Sequence, residues 1–309
     1  MNTNKKPTEP SPKHDGTTPQ GTAIIDRRGH PQQVDADIVI PVYNEEHTLQ
    51  TCIQTLEAYL SHEANPGSAF TWNIIIADNA STDATWDVAT ALCAQYPESL
   101  RAVRIGRKGR GAALKLAWSE SLARVVSYMD VDLSTDIRCT GILIGSLLAG
   151  GADVSIGSRL LAQSDVTRST KREFISRTYN LMLRTYLGVK FHDAQCGFKA
   201  MTAAAADALL PRIKDDEWFF DTELLVLAER RGMQIYEIPV TWVEDSDSRV
   251  NIPDTVSKDI AGMRRMRQES RKDGKSPITN PYATLGWGVR NQDELRGSLI
   301  ELANVKVGA

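Results

Sequence analysis

Short apolar runs alternate with stretches of helical period, and acidic residues stand where the runs end. Ile38-Val39-Ile40-Pro41-Val42 leads into Tyr43-Asn44-Glu45-Glu46. Asn73-Ile74-Ile75-Ile76-Ala77 leads into the segment Asp78 to Asp83, and Val125-Val126-Ser127-Tyr128-Met129 into Asp130-Val131-Asp132. An unbroken apolar run of this kind reads as a strand buried on both faces. A further strand is expected at Ala102–Ile105. Between the runs, Glu46–Leu60 places Leu49, Ile53, Leu56 and Leu60 on one helical stripe, and Gly111–Leu122 reads as another helix. Ser81 or Thr82 is the expected cap of the helix between them. Strand-then-helix with short connections predicts an α/β fold, a mostly parallel sheet with helices on both faces.

The second half is less regular. Asp153–Gly157 and Met233–Val240 are expected strands, and Asp221–Arg231 an expected helix. Lys171–Leu187 is an expected helix whose stripe of Phe174, Ile175, Thr178, Met182 and Tyr186 should be core rather than membrane contact. Residues 258–271 form a basic helical stretch in which Ile260, Met263 and Met266 share a face, which suits either packing on the domain or lying on an anionic membrane surface. A last helix is expected at Gln292–Val305. The expected organisation is a disordered tail over 1–34, one domain over 35–255, and a basic helical extension over 256–309.

Composition sets bounds on partners. The 309 residues carry a net charge of -3, which offers no basic field for nucleic acid. Four cysteines without CxxC spacing exclude a zinc ribbon and fit a reducing compartment. The longest uncharged stretch, Cys139–Ala152, is too short to span a bilayer, which takes about 20 apolar residues. The N-terminus has lysines but no apolar core after them, so no secretory signal is expected and a cytoplasmic location is.

In open parallel sheets, ligands bind outside the carboxyl ends of the strands. The acidic clusters fall there. Carboxylates gathered at one edge repel each other unless a cation or a donor lies among them. Asp130 and Asp132 alternate along an extended segment and so face one side, where their oxygens suit Mg2+ or Mn2+. No GxGxxG follows the first strand and no GxxxxGK[ST] occurs, which counts against a dinucleotide enzyme and a P-loop ATPase. Arg107-Lys108-Gly109-Arg110-Gly111 precedes a helix, where phosphate is favoured, although a basic turn reads equally well.

Together, Pro41 to Glu46, Asp78 to Asp83 and Asp130-Val131-Asp132 resemble the signatures of family 2 glycosyltransferases with the GT-A nucleotide-sugar fold. Gly157-Ser158-Arg159, Lys171-Arg172 and Asp193-Ala194-Gln195-Cys196-Gly197-Phe198-Lys199 resemble the branch that makes dolichyl- or polyprenyl-phosphate glucose and mannose. The resemblance spans roughly residues 36–250.

It implies that Pro41, Tyr43, Glu45 and Asp78 hold the nucleoside, and that Asp130 and Asp132 bind Mg2+ or Mn2+ and the diphosphate. Ser134 stands where some relatives have Gln as a further metal ligand. Arg159 and Arg172 would take the acceptor phosphate, Arg249 would close over the nucleotide phosphates, and Asp193 and Gln195 would face the sugar. The implied activity is inverting transfer of a hexose to a polyprenyl phosphate, with UDP-glucose the first donor and GDP-mannose the second, at the cytoplasmic face of a membrane through peripheral contact or a membrane partner. An acceptor phosphate needs no base. A hydroxyl acceptor would need one, with Asp193 or Asp221 the candidate.

Overall fold

A computed structural model describes residues 24–26, 34–62, 70–244 and 252–272. Its strands are β1 (Ile24–Asp26), β2 (Ala36–Val42), β3 (Trp72–Asn79), β4 (Leu100–Ile105), β5 (Val125–Met129), β6 (Val154–Ser158), β7 (Asp165–Thr167), β8 (Phe198–Thr202), β9 (Ile235–Pro239) and β10 (Thr241–Val243). Its helices are α1 (Leu49–Leu60), α2 (Thr85–Gln95), α3 (Arg110–Ser119), α4 (Thr140–Leu148), α5 (Thr170–Leu187), α6 (Ala203–Leu209), α7 (Phe220–Arg230) and α8 (Ile252–Lys272).

Eight strands form one sheet in the order β1-β4-β3-β2-β5-β8-β6-β9. β2, β3, β4 and β5 run parallel, as do β6 and β9, while β8 is antiparallel to both β5 and β6. A small parallel pair, β7 with β10, stands apart. Alternate residues of each central strand enter opposite cores. Val39, Ile75, Val126 and Tyr128 pack with α3, α5, α6, α7 and α8. Ile38, Ile40, Ile74, Ile76, Val125 and Met129 pack with α1, α2 and α4. Burial on both faces is why these strands read as continuous apolar runs.

Strand order reverses between β2 and β5, and this opens the crevice that holds the site. The β2–β5 ladder ends at Val39 opposite Tyr128, while β2 stays paired to β3 as far as Val42 opposite Asp78. Pro41 lacks the N–H that would carry the first ladder on.

Several expectations are corrected. α1 begins at Leu49 rather than Glu46, because Asn44 to Thr48 form a turn with Asn44 at a φ of 56°. Neither Ser81 nor Thr82 caps α2, which starts at Thr85. Ser81 instead accepts a hydrogen bond from the Asn44 N–H. Cys139–Ala152 supplies α4, and β8 is an additional strand. Ile24–Asp26, within the expected disordered tail, pairs antiparallel with β4 and satisfies a sheet edge that is otherwise open.

The buried stripe of α5 is Ser176, Tyr179, Asn180 and Leu183; of the expected stripe, Met182 and Tyr186 pack partly against the core, whereas Phe174 and Thr178 face outward. Phe174 is 72% exposed. The basic helix is no extension, since Met263 and Met266 lie in the main core and Gly262 lets α8 approach Phe219 closely. Its apolar face is therefore closed to a membrane. Gln292–Val305 lies outside the described residues. Among the described residues no helix is long and apolar enough to cross a membrane.

Candidate active site

The turns after β2 and β3 are laced together by side chains. Thr85 Oγ1 accepts from the Glu45 N–H at 2.8 Å, Asn44 Oδ1 from the Thr82 N–H at 2.8 Å, and Glu46 Oε2 from the Ala84 N–H at 2.9 Å. This explains why a polar, helix-breaking segment follows each strand. The short side chains hold two turns in one shape.

Asp78, at the end of β3, is fully buried. Its Oδ1 accepts from the Ser81 N–H at 3.0 Å, and its Oδ2 lies 3.1 Å from Arg104 Nε without the alignment of a hydrogen bond. A buried carboxylate oxygen left without a hydrogen bond is costly and suits a donor group of a ligand. Lys108 Nζ sits 4.1 Å from the centre of the Tyr43 ring, and its hydrogen bond draws the Tyr43 hydroxyl below its ordinary pKa.

Asp130 and Asp132 lie at the mouth of the crevice, beyond β5. Asp130 is partly open, and its carboxylate rests against Gly197, where a Cβ atom would overlap it. Asp132 is exposed, and its Oδ1 accepts from the Ser134 N–H at 3.0 Å. Ser134 Oγ is buried without a hydrogen-bond partner. Among the described residues no group of three or more His, Cys, Asp or Glu is arranged to hold a metal. Two accessible carboxylates fit a hard cation that takes its other ligands from water and a diphosphate, as Mg2+ does.

Behind them Arg110 bridges Asp130 Oδ1 at 2.9 Å and Asp221 Oδ2 at 2.7 Å. Asp221 also accepts from the Tyr128 hydroxyl at 2.5 Å and pairs with Lys199 Nζ at 3.2 Å. Burial alone would raise the Asp221 pKa, but Lys199 and Arg110 hold it below the usual carboxylate range. Of the basic turn before α3, Arg110 thus turns inward onto two carboxylates, while Arg107 and Lys108 stay exposed, Arg107 paired with Asp216.

Arg159 and Asp193 form a closed pair. Asp193 is fully buried and accepts from Arg159 Nε at 2.8 Å, Nη2 at 3.0 Å and the Arg159 backbone N–H at 3.0 Å. Burial pushes this carboxyl up, but Arg159 brings it down to about 2. The expectation that Asp193 faces the sugar is corrected, since its oxygens are turned to Arg159 and to the Gln195 N–H. Gln195 is exposed, with its Nε2 at 3.5 Å from Asp259 of α8. Arg172 Nε lies 2.8 Å from Glu244 Oε1, and Arg249 lies outside the described residues.

The fold therefore gathers Pro41, Tyr43, Glu45, Asp78, Asp130 and Asp132 at the carboxyl ends of β2, β3 and β5. Sequence reasoning missed the linking role of Arg110, Tyr128 and Lys199. A lysine inside a run that ends in apolar residues, as in Phe198-Lys199-Ala200-Met201, is the one signal that pointed to a buried charge partner.

Comparison with known proteins agrees with this geometry. Residues 37–210 match the model of glycosyl transferase family 2. The chain is 35% identical over 234 residues to glycosyltransferase AglD of Haloferax volcanii, covering 74% of this chain but only 36% of AglD. It is 32% identical over 251 residues to the dolichyl-phosphate beta-glucosyltransferase ALG5C of Trichomonas vaginalis, covering 79% of this chain and 73% of that protein. Glucosyl-3-phosphoglycerate synthase of Mycobacterium tuberculosis, solved with Mn2+, uridine diphosphate and glucosyl-3-phosphoglycerate, superposes with a TM-score of 0.54 at 17% identity, over 76% of this chain and 80% of that one. The chain belongs to glycosyl transferase family 2 and has its GT-A fold.

Proposed function

We propose that this chain is a hexosyltransferase that moves a hexose, glucose from UDP-glucose first and mannose from GDP-mannose second, to a dolichyl or polyprenyl phosphate. Transfer would be in line, with inversion at the anomeric carbon. Asp130 and Asp132 would hold Mg2+ or Mn2+, which when bound supplies neutralising charge to the departing diphosphate. Asp78, with its unbonded buried oxygen, is suited to the base of the nucleotide, and Tyr43 and Glu45 line the same edge.

One observation carries the choice of acceptor. Asp193 and Asp221, the two carboxylates from which a hydroxyl acceptor would need a base, are both buried, ion-paired and held below the usual range. A carboxylate so held is a poor proton acceptor. A phosphate monoester brings its own charge, because its second pKa is about 6. Arg172, partly exposed in the first turn of α5, is the more accessible partner for it, whereas Arg159 has only the part of its fork not engaged by Asp193.

Peripheral membrane contact is assigned to α5. There Phe174 (72% exposed) and Leu181 (54% exposed) stand among exposed Lys171 and Arg177, on the helix that also carries Arg172.

The test is a transfer assay with labelled UDP-glucose or GDP-mannose, a short polyprenyl phosphate and Mg2+ or Mn2+. Label in the organic phase that is lost with EDTA is the expected result and names the donor. Nucleotide-sugar binding without transfer to lipid would return the acceptor to a soluble compound.

A further inference from the structure

Four charges alternate from the crevice into the core, Asp130, Arg110, Asp221 and Lys199, and all but Asp130 are nearly inaccessible. Arg110 comes from the first residue of α3, Asp221 from α7 and Lys199 from β8. Lys199 Nζ also donates to the Tyr128 hydroxyl at 3.1 Å and to the Cys196 carbonyl at 2.5 Å. The Arg110 guanidinium lies 4.7 Å from the centre of the Tyr128 ring and 5.2 Å from that of Trp218. Burying ions costs several kcal/mol each, and their pairing at best about offsets this, so stability alone does not account for the chain.

Its open end does. Asp130 Oδ1 is held by Arg110 Nη2, and the rest of its carboxylate is packed on Gly197. A carboxylate gripped at one oxygen and seated on backbone has one orientation. Arg110 is itself fixed by a second carboxylate and two rings.

We infer that Arg110 is the positioning residue of the cation site, setting the orientation in which Asp130 meets a divalent cation, with Asp221, Lys199 and Tyr128 setting Arg110. This rests on the metal-dependent reading above. A planar fork that spans two carboxylates is a task for arginine, since lysine offers a single point of charge.

Charge and geometry oppose each other here. On charge alone, loss of Arg110 favours a cation at Asp130. Arg110→Lys keeps the charge and removes the fork, so it isolates geometry. Mn2+ affinity is read by electron paramagnetic resonance of free Mn2+ in the presence of UDP, with the melting temperature measured alongside. Arg110→Lys is expected to weaken Mn2+ binding about tenfold, the size usual for groups that orient metal ligands. Asp221→Asn, which frees Arg110 from its anchor, is expected to act in the same direction.

Arg265→Lys is the control. It breaks a pair of similar geometry with the buried Glu223, at 2.6 and 2.9 Å, and should lower the melting temperature while leaving Mn2+ affinity as in the parent. Parent-like Mn2+ affinity in folded Arg110→Lys or Asp221→Asn would overturn the inference. So would an equal loss in Arg265→Lys. A parent protein that takes up no Mn2+ with UDP would overturn the metal reading itself, and this inference with it.

Discussion

Arg159 holds Asp193 through two parallel side-chain hydrogen bonds, 2.8 and 3.0 Å long, with the carboxylate wholly out of solvent. Removing one partner of such a pair leaves the other buried and uncompensated. Asp193→Asn is expected to lower unfolding free energy by about 3 kcal/mol at pH 7. The Asp193 carboxyl is depressed in the folded state to about 2 from an ordinary 3.8. Its contribution is therefore complete above 3.8 and fades as pH falls through about 2. Urea unfolding of both proteins should show their difference narrowing as pH falls from about 4 to about 2, and a constant gap over that range would remove Asp193 as its source.

Asp132 is exposed, so its truncation should scarcely disturb the fold, with a stability change within about 0.5 kcal/mol. Asp132→Ala should nevertheless abolish metal-dependent transfer. Melting temperature and turnover measured together separate the two effects, and unchanged turnover would end the assignment of Asp132 to the cation.

Arg172 pairs with Glu244 where both are partly accessible, a setting in which an ion pair contributes about 1 kcal/mol or less. Arg172→Ala should leave the fold intact and raise the KM for polyprenyl phosphate about tenfold, the scale of a lost charged hydrogen bond, with little change for the donor. A change confined to the donor would place Arg172 elsewhere in the reaction.

The sequence made the parallel half of the sheet legible because β2, β3 and β5 face a core on both sides and so carry mostly apolar runs, with Ser127 the one polar residue inside the run of β5. β8 was hidden by Lys199, a buried cation in the middle of a strand. The site was legible where its residues are local, as in Asp130 with Asp132. Arg110 was not, because its two partners lie 20 and 111 residues away and a basic turn looks alike whether it faces phosphate or core. In α5 the spacing placed Phe174 in the core with Met182 and Tyr186; the structure keeps those two partly packed but turns Phe174 outward and buries Ser176, Tyr179, Asn180 and Leu183 instead.

Asp259 of α8 is buried beside Gln195 and Tyr179, and burial pushes its carboxyl up to about 7 from an ordinary 3.8. The folded state keeps this proton after the unfolded chain has lost it. Between pH 3.8 and about 7, stability therefore falls as pH rises, by about 1.4 kcal/mol per unit at most, and the deficit is complete above 7. Asp259→Asn should stabilise the protein at pH 8 and be close to neutral at pH 4. Thermal melts at both values check this, and a variant less stable at pH 8 would show that the ionised carboxylate is favourable in place.

Phe174 and Leu181 offer the test of the membrane face. Both are large, apolar and more than half exposed, so replacing them with serine removes no core contact and should change the melting temperature little. Burial of two such side chains in a bilayer is worth about 2 to 5 kcal/mol, enough to govern a peripheral association. Phe174→Ser with Leu181→Ser should therefore reduce cosedimentation with vesicles of anionic phospholipid by tenfold or more, while turnover on a short, water-soluble polyprenyl phosphate is kept. A double variant that still sediments like the parent would take the contact away from α5. Loss of turnover on the soluble acceptor would place these side chains in the acceptor site instead.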